Sequence, residues 1–531
     1  MSYDAVVIGG GHNGLVCGNY LARAGMRTLV LEKNAVVGGA ALSEEAIPGF
    51  KFSVFSYLMS LLHPRVIADL ELRQYGFEVL PASDMFAPLP NGDHILFCED
   101  VRRTQESFAR FSRRDAEIYP EFDRYLMDSV RIVRKLLLET PPDPALRSWR
   151  SFRQSAAFLW KYRKIRDKMY RLVDLLTMSA DDYLSEWFES SAVKATLAYY
   201  CGIGTFAGPR TKGSAYVIMH HVMGEHAGAG GWGFIRGGMG TITQAIAASG
   251  RAHGMEIRTE AEVVAIETRD GRARGVTLAD GSRIQAPVVV SNLSARLTFL
   301  NLVPEAQLPA DFVRDIRAYR TFSTAFKINI ACERLPQYTA FDPQQAGFAY
   351  PTYAHIGPTI EYLERAYEDA KWGNFSQRPF VTPVAPSFVD DSIAPPGKHV
   401  VHLFGGHAPH TLAEGNWDTR RDELVRAVLG VMDEHAPGFS DGIIGMQVLT
   451  PPDIERRIGS PHGHIFHGEL NADQLFWARP APHFADYRSP IRGLYQCGSS
   501  AHPGGGVGGV VGHNAAREIL RDRRLHVRRT A

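Results

Sequence analysis

The stretch that most constrains this chain lies near its start. Ala5-Val6-Val7-Ile8 is short and wholly apolar, the pattern of a strand buried on both faces of a parallel sheet. It runs into Gly9-Gly10-Gly11-His12-Asn13-Gly14, which contains G-x-G-x-x-G. A helical stretch from Leu15 to Ala24 comes next, with Gly25 as its stop, and then a second strand, Thr28 to Leu31, ending in Glu32. Strand, glycine turn, helix, strand and terminal acid in this register predict a dinucleotide site. Gly9 permits the tight turn, Gly11 lets the backbone approach a pyrophosphate, and Gly14 lets helix and strand pack closely. The helix N-terminus presents amides and a positive dipole end to the phosphates, beside His12 and Asn13. Glu32 accepts from ribose hydroxyls and disfavours a 2′-phosphate, because like charges would meet.

The 531 residues suggest two or three domains with sizeable cores, and 45% hydrophobic against 22% charged residues excludes wholesale disorder. With 58 Lys+Arg and 57 Asp+Glu, nothing pulls the chain as a whole toward nucleic acid. The five cysteines never form C-x-x-C, which argues against a disulfide scaffold, structural zinc or a redox dithiol. No signal peptide or presequence opens the chain and no apolar run is long enough to span a bilayer, so the expectation is a soluble, cytoplasmic protein.

The cofactor reading rests on the residues just past Glu32. Lys33 leads into Asn34–Ala41, N-A-V-V-G-G-A-A, which sets Gly38, Gly39 and Ala40 just beyond the second strand. This resembles the signature of two-dinucleotide-binding-domain flavoproteins, in which such a doublet runs beside the ribityl-flavin end of FAD. No second nucleotide fingerprint with C-x-x-C accompanies it. Two later blocks resemble further parts of the same domain. Gly254 to Asn292 reads as short strands turning at Asp270-Gly271 and Asp280-Gly281, and the resemblance implies an adenine contact near Val263. The last block, Gly498-Ser499-Ser500-Ala501-His502-Pro503-Gly504-Gly505-Gly506-Val507, feeds a helix to Leu520. Its amides suit the pyrimidine edge of a flavin, where they would stabilise negative charge on the reduced ring.

Together, G-G-G-H-N-G-L, E-K-x-x-x-x-G-G and H-P-G-G-G-V-x-G resemble the phytoene desaturase (carotenoid and retinoid oxidoreductase) branch of flavin amine-oxidase-like proteins. Ile47–Ser53, Ile465–Leu470 and Asp473–Pro480 further resemble the family of pyridine nucleotide-disulfide oxidoreductase domain-containing protein 2 and its bacterial relatives. Gly498-Ser499 departs from the Gly-Asp that many relatives carry. The resemblance implies an α/β fold: a Rossmann-type FAD-binding domain, amine-oxidase-like, assembled from 1–60, 226–300 and 486–531. A discontinuous α+β substrate domain with a helical insertion would occupy 61–225 and 301–485.

The activity implied is hydride transfer from a C–H bond of a lipophilic, polyene- or isoprenoid-like substrate to flavin N5. Oxygen or a quinone would serve as the diffusible acceptor. A flavin amine oxidase and a flavin-binding scaffold with little turnover are the rival readings. Such chemistry asks for an apolar pocket and at most one proton acceptor. His226 and Trp232, in the Gly-rich stretch 225–240, are candidate pocket residues, and equally suit a domain-crossing hinge. Lys327 interrupts an apolar strand, where alternation would expose it, yet amine oxidases place a lysine near N5 from a similar region. His467 and His502 are candidate flavin-adjacent groups. His462, His464 and His467 lack metal-ligand company, so no metal is expected. Arg479 reads as a surface salt-bridge partner or a contact for a substrate carboxylate. Residues 147–171 interleave basic and aromatic side chains, as a peripheral membrane anchor does, and also fit a solvated face or an oligomer contact. No nucleic-acid motif accompanies that charge. The oligomeric state stays open.

Overall fold

A computed structural model describes residues 3–147, 149–224 and 231–530. Five parallel strands form the first sheet, in the order Leu494–Gln496, Val288–Ser291, Ala5–Ile8, Thr28–Leu31, Glu256–Arg258. Val7 sits level with Val30 and Val290. The two-residue period explains why the Ala5–Ile8 run is apolar throughout: both faces are covered. Val7, Val30 and Val290 pack against the helices His12–Arg23, Gly240–Ala252 and Val510–Thr530. Val6, Ile8, Leu29 and Val289 pack against the antiparallel meander Val263–Arg269, Arg272–Leu278, Arg283–Gln285. The meander turns at Asp270-Gly271 and again at Asp280-Gly281, where Gly271 and Gly281 take up positive φ. The architecture is the α/β, Rossmann-type fold.

Leu62, Val66, Leu70, Leu72 and Phe77 also belong to this helical face. The chain therefore stays with the nucleotide domain well past residue 60, where the sequence reading placed the boundary. The turn Leu72–Tyr75 packs directly on the Gly240–Ala252 helix, and the helix Pro64–Asp69 before it adds Val66 to the same core.

A second, antiparallel sheet runs in the order Phe380–Val384, His399–Gly406, Phe326–Cys332, Ile443–Leu449. Phe326, Ile328, Ile330 and Cys332 point into one core, with the helix Trp417–His435 over them. The hairpin Ser43–Ile47/Phe50–Ser53 lies against the opposite face. A helical layer, including Arg113–Leu137, Met169–Thr177, Ser191–Ala198 and Ala215–His221, shares a further core with Phe380 and Phe404 of that sheet. Among the described residues no helix is long and apolar enough to cross a membrane.

Candidate functional site

Where the parallel sheet meets the antiparallel one, a cavity of about 840 Å³ runs between them. Gly9, Gly11, His12, Asn13, Glu32 and Lys33 line its first part, and Gly39, Ala40 and Val263 continue the wall. The helix His12–Arg23 opens with no side chain capping its first amides and no acid in its first turn, so that end of the helix is left for a ligand. Glu32 holds the turn in shape. One carboxylate oxygen accepts from Gly10 N at 2.8 Å, and the other accepts from Asn34 N at 3.0 Å and Asn34 Nδ2 at 2.8 Å.

The two ends of the chain converge here. His12 Nε2 lies 3.1 Å from the Gly506 carbonyl, and Asn13 Nδ2 donates to Ser499 Oγ at 3.4 Å. A carbonyl only accepts, so Nε2 of His12 carries its proton. Burial holds the His12 pKa down at about 4, opposed by that carbonyl. Ser499, Gly506 and Val507 line the cavity beside His12, and Oδ1 of Asn13 is buried without a partner among the described residues.

The far wall comes from the second sheet and the helical layer. Lys327 is only 2% exposed. Strand alternation does turn it away from the Phe326–Cys332 core, but the end of the hairpin and the chain just after it, Ser53 to Phe55, cover that face, so alternation buries the amine instead of exposing it. Its Nζ donates to the carbonyls of Ser53 and Phe55, the latter at 2.8 Å, and lies 4.8 Å from the Tyr57 ring centre. Desolvation pushes its pKa well below the usual lysine range. Trp232 lines the same wall, its ring parallel to Tyr200 within 7° at 6.3 Å between centroids. His467 lines the cavity too, with Nδ1 unpartnered among the described residues and its pKa lowered by burial to about 4.

Other expected site residues lie off this cavity. A Cβ on Gly14 would fall 2.2 Å from the Gly9 carbonyl oxygen, and one on Gly498 2.4 Å from that of Asn292. Both glycines serve close backbone packing. Gly38 N donates to Gly10 O at 3.0 Å, which braces the turn from behind. Pro503, Gly504 and Gly505 line a small neighbouring pocket with Tyr216 and His220. His502 is turned away: Nε2 meets the Leu136 carbonyl at 3.2 Å and its ring meets Phe476 edge-on, so it is not a cavity residue. His226 and its Gly-rich neighbours through Gly230 lie outside the described residues. His462 meets Thr321 Oγ1, whereas His464 Nδ1 accepts from Phe466 N and Gly468 N.

Arg479 corrects the sequence reading most. It is wholly buried, 0% exposed, with no salt bridge at the surface. Its guanidinium donates to the carbonyls of Phe466, Gly468, Glu469, Gln474 and Ser499, twice to the last. One side chain thus ties the loop carrying Phe466 and His467 to the glycine-rich turn carrying Ser499. Sequence reasoning also missed Tyr57, Tyr199, Tyr200, His221, Tyr353 and Phe404, all of which line the cavity. They sit in separate stretches with no shared motif.

These features fit FAD. The uncapped helix end suits a diphosphate, the Glu32 carboxylate suits a ribose, and the orphaned Asn13 Oδ1 together with the Gly506–Val507 turn would meet the ring-bearing half. Replacing Glu32 with Gln removes the charge and turns one of its two accepting oxygens into a donor, so that Gly10 N or Asn34 loses its acceptor as well. The expected result is roughly tenfold weaker FAD retention, read by flavin content after dialysis. Undiminished content would disprove the ribose role of Glu32.

Fold and cavity define a Rossmann-type flavoprotein of the oxidoreductase class. The sequence profile of the family described as flavin containing amine oxidoreductase matches residues 14–520, and the chain belongs to that family. It is an FAD-dependent oxidoreductase. The rat (Rattus norvegicus) pyridine nucleotide-disulfide oxidoreductase domain-containing protein 2 is 42% identical to it over 544 residues, covering 98% of this chain and 94% of the relative. The lycopene-forming phytoene desaturase of Pantoea ananas is 25% identical, covering 95% and 96%. Among solved structures, an oxidoreductase from Methanosarcina mazei shares the fold with a TM-score of 0.62 at 15% identity, covering 97% of this chain and 99% of that one.

Proposed function

We propose that the protein removes hydride from a C–H bond of a lipophilic, polyene- or isoprenoid-like substrate. The observation that carries this reading is the wall opposite the nucleotide segments. Leu61, Ile203, Trp232, Phe404 and Phe466 make it apolar and aromatic, and its buried basic groups, Lys327 and His221, are both driven toward their neutral forms by desolvation. Bound FAD supplies a two-electron hydride acceptor at N5, and oxygen or a quinone would take the electrons onward. The chain's own part is to seat the substrate, exclude water and hold polar groups uncharged. The phytoene desaturase relative supports the substrate class.

One observation favours a flavin amine oxidase as the second reading. Tyr200 and Trp232 present parallel rings to the cavity, as pairs that cradle an amine do. Anaerobic mixing separates the two. Flavin bleaching is expected with polyenes or isoprenoids, and bleaching by amines alone would overturn the proposal.

The same reading gives the Trp149–Tyr162 helix a task. Trp149 is 71%, Leu159 69% and Trp160 68% exposed, with Arg163 stacked on Trp160. The side chains of Arg150, Arg166 and Asp167, in the same basic stretch, lie outside those described. Exposed indoles among cations suit the headgroup layer of an anionic bilayer. The protein is therefore expected to sediment with anionic lipid vesicles at low salt, and Trp149→Ser with Trp160→Ser to abolish this. Binding that survives the double substitution would refute a role for this helix.

A further inference from the structure

The Trp232 end of the cavity carries a polar arrangement that a hydrocarbon cannot use. Tyr200 Oη and Tyr353 Oη lie 3.2 Å apart, both rings are buried, and both line the cavity. Two phenols hold two hydrogens. One is spent between them, and among the described residues neither oxygen has another partner, so one donor is left over. His221 stacks on Tyr200, centroids 5.3 Å apart and planes within 18°. Its Nδ1 lies 2.8 Å from the Val217 carbonyl, four residues back on the same helix. That carbonyl can only accept, so Nδ1 carries the proton and Nε2 of the neutral ring presents a lone pair. Unlike Nε2 of neighbouring His220, which is sealed in without a partner, Nε2 of His221 is not closed off, and its residue lines the cavity. Burial keeps both phenols protonated and the imidazole neutral, at about 4.

The phenol pair thus holds a spare donor, and His221, stacked on Tyr200, holds a spare acceptor on the same stretch of cavity wall. A hydrocarbon leaves both unused. A carbonyl or carboxylate satisfies only the phenol, and an ammonium only the imidazole. A hydroxyl, which both donates and accepts, satisfies the two together; a neutral amine does the same, but the lipophilic reading above is of a polyene or isoprenoid and not of an amine. Resting on the lipophilic reading above, we infer that the substrate carries a hydroxyl group, recognised between the Tyr200–Tyr353 phenol pair and Nε2 of His221. The class named is a lipophilic alcohol, and these three side chains set the specificity.

Equilibrium dialysis of the FAD-loaded protein with farnesol and with the hydrocarbon farnesene tests this without turnover. Farnesol is expected to bind roughly tenfold more tightly or better. Tyr353→Phe and His221→Phe should each remove most of that preference, about tenfold, read as the ratio of farnesol to farnesene affinity within each variant. Flavin content and thermal midpoint report the integrity of each variant, and Tyr200→Phe serves the same arm should Tyr353→Phe not fold. Equal binding of the two ligands by the unaltered protein, or a preference that survives the substitutions, would overturn the hydroxyl inference and leave the lipophilic reading standing. Retention of neither ligand would overturn both.

Discussion

Arg479→Met is expected to lower stability by about 5 kcal/mol or more and to release the cofactor. The substitution fills similar space but leaves the carbonyls of Phe466, Gly468, Glu469, Gln474 and Ser499 buried without the donors they now have. Each orphaned acceptor costs about 1–3 kcal/mol. Lysine would not restore them: its three donors radiate from one nitrogen, whereas the guanidinium spreads five over three nitrogens in a planar fork. Denaturant unfolding with parallel measurement of flavin content checks this. A loss below about 2 kcal/mol would show that the loops hold their shape without the guanidinium. Because Arg479 joins the His467 loop to the Ser499 turn, flavin should dissociate under milder conditions than those that unfold the second sheet.

A comparably large effect is expected from acid. His12, His221, His467 and His502 are buried with pKa values near 4, in each case chiefly by desolvation, against about 6.5 in an unfolded chain. Above pH 6.5 both folded and unfolded forms are neutral at these positions, and nothing is lost. As the pH falls below 6.5 the unfolded chain takes up protons that the folded one refuses. Each such imidazole then costs up to about 1.4 kcal/mol per pH unit, until the folded form also titrates near pH 4. Unfolding midpoints should therefore drop steeply between pH 6.5 and 4.5 and stay nearly flat from pH 7 to 8, so far as histidines are concerned. A midpoint unchanged down to pH 5 would contradict the buried, neutral state of these rings. Since His12, His221 and His467 stay neutral in the folded protein down to about pH 4, binding by the folded form should hold through this window and weaken only as the pH approaches 4.

What the chain declares locally and what it declares only when folded divide along one physical line. The nucleotide unit was readable because its signals lie within about thirty residues: an apolar run for a two-sided strand, glycines where backbones meet, an acid at the next strand's end. The hairpins at Asp270-Gly271 and Asp280-Gly281 were readable for the same reason, since a tight turn writes its requirement into two adjacent residues. Convergence of the chain ends could be anticipated only through family resemblance, because no local rule ties His12 to Gly506.

The remainder belongs to tertiary structure. Periodicity says that Lys327 lies opposite Ile328, but not that the chain from Ser53 to Phe55 covers that face and turns an expected surface amine into a buried one. Arg479 carries the same letter as any exposed arginine, and only the loops closing around it supply acceptors in place of water. Tyr200, His221 and Tyr353 come from segments with no common spacing, so their polar pairing exists only where a 3₁₀ turn, a helix end and an extended loop meet. Patterns along a chain encode which face is apolar. Which surface comes to cover it, and so which polar groups lose water and must find partners, is settled by packing alone.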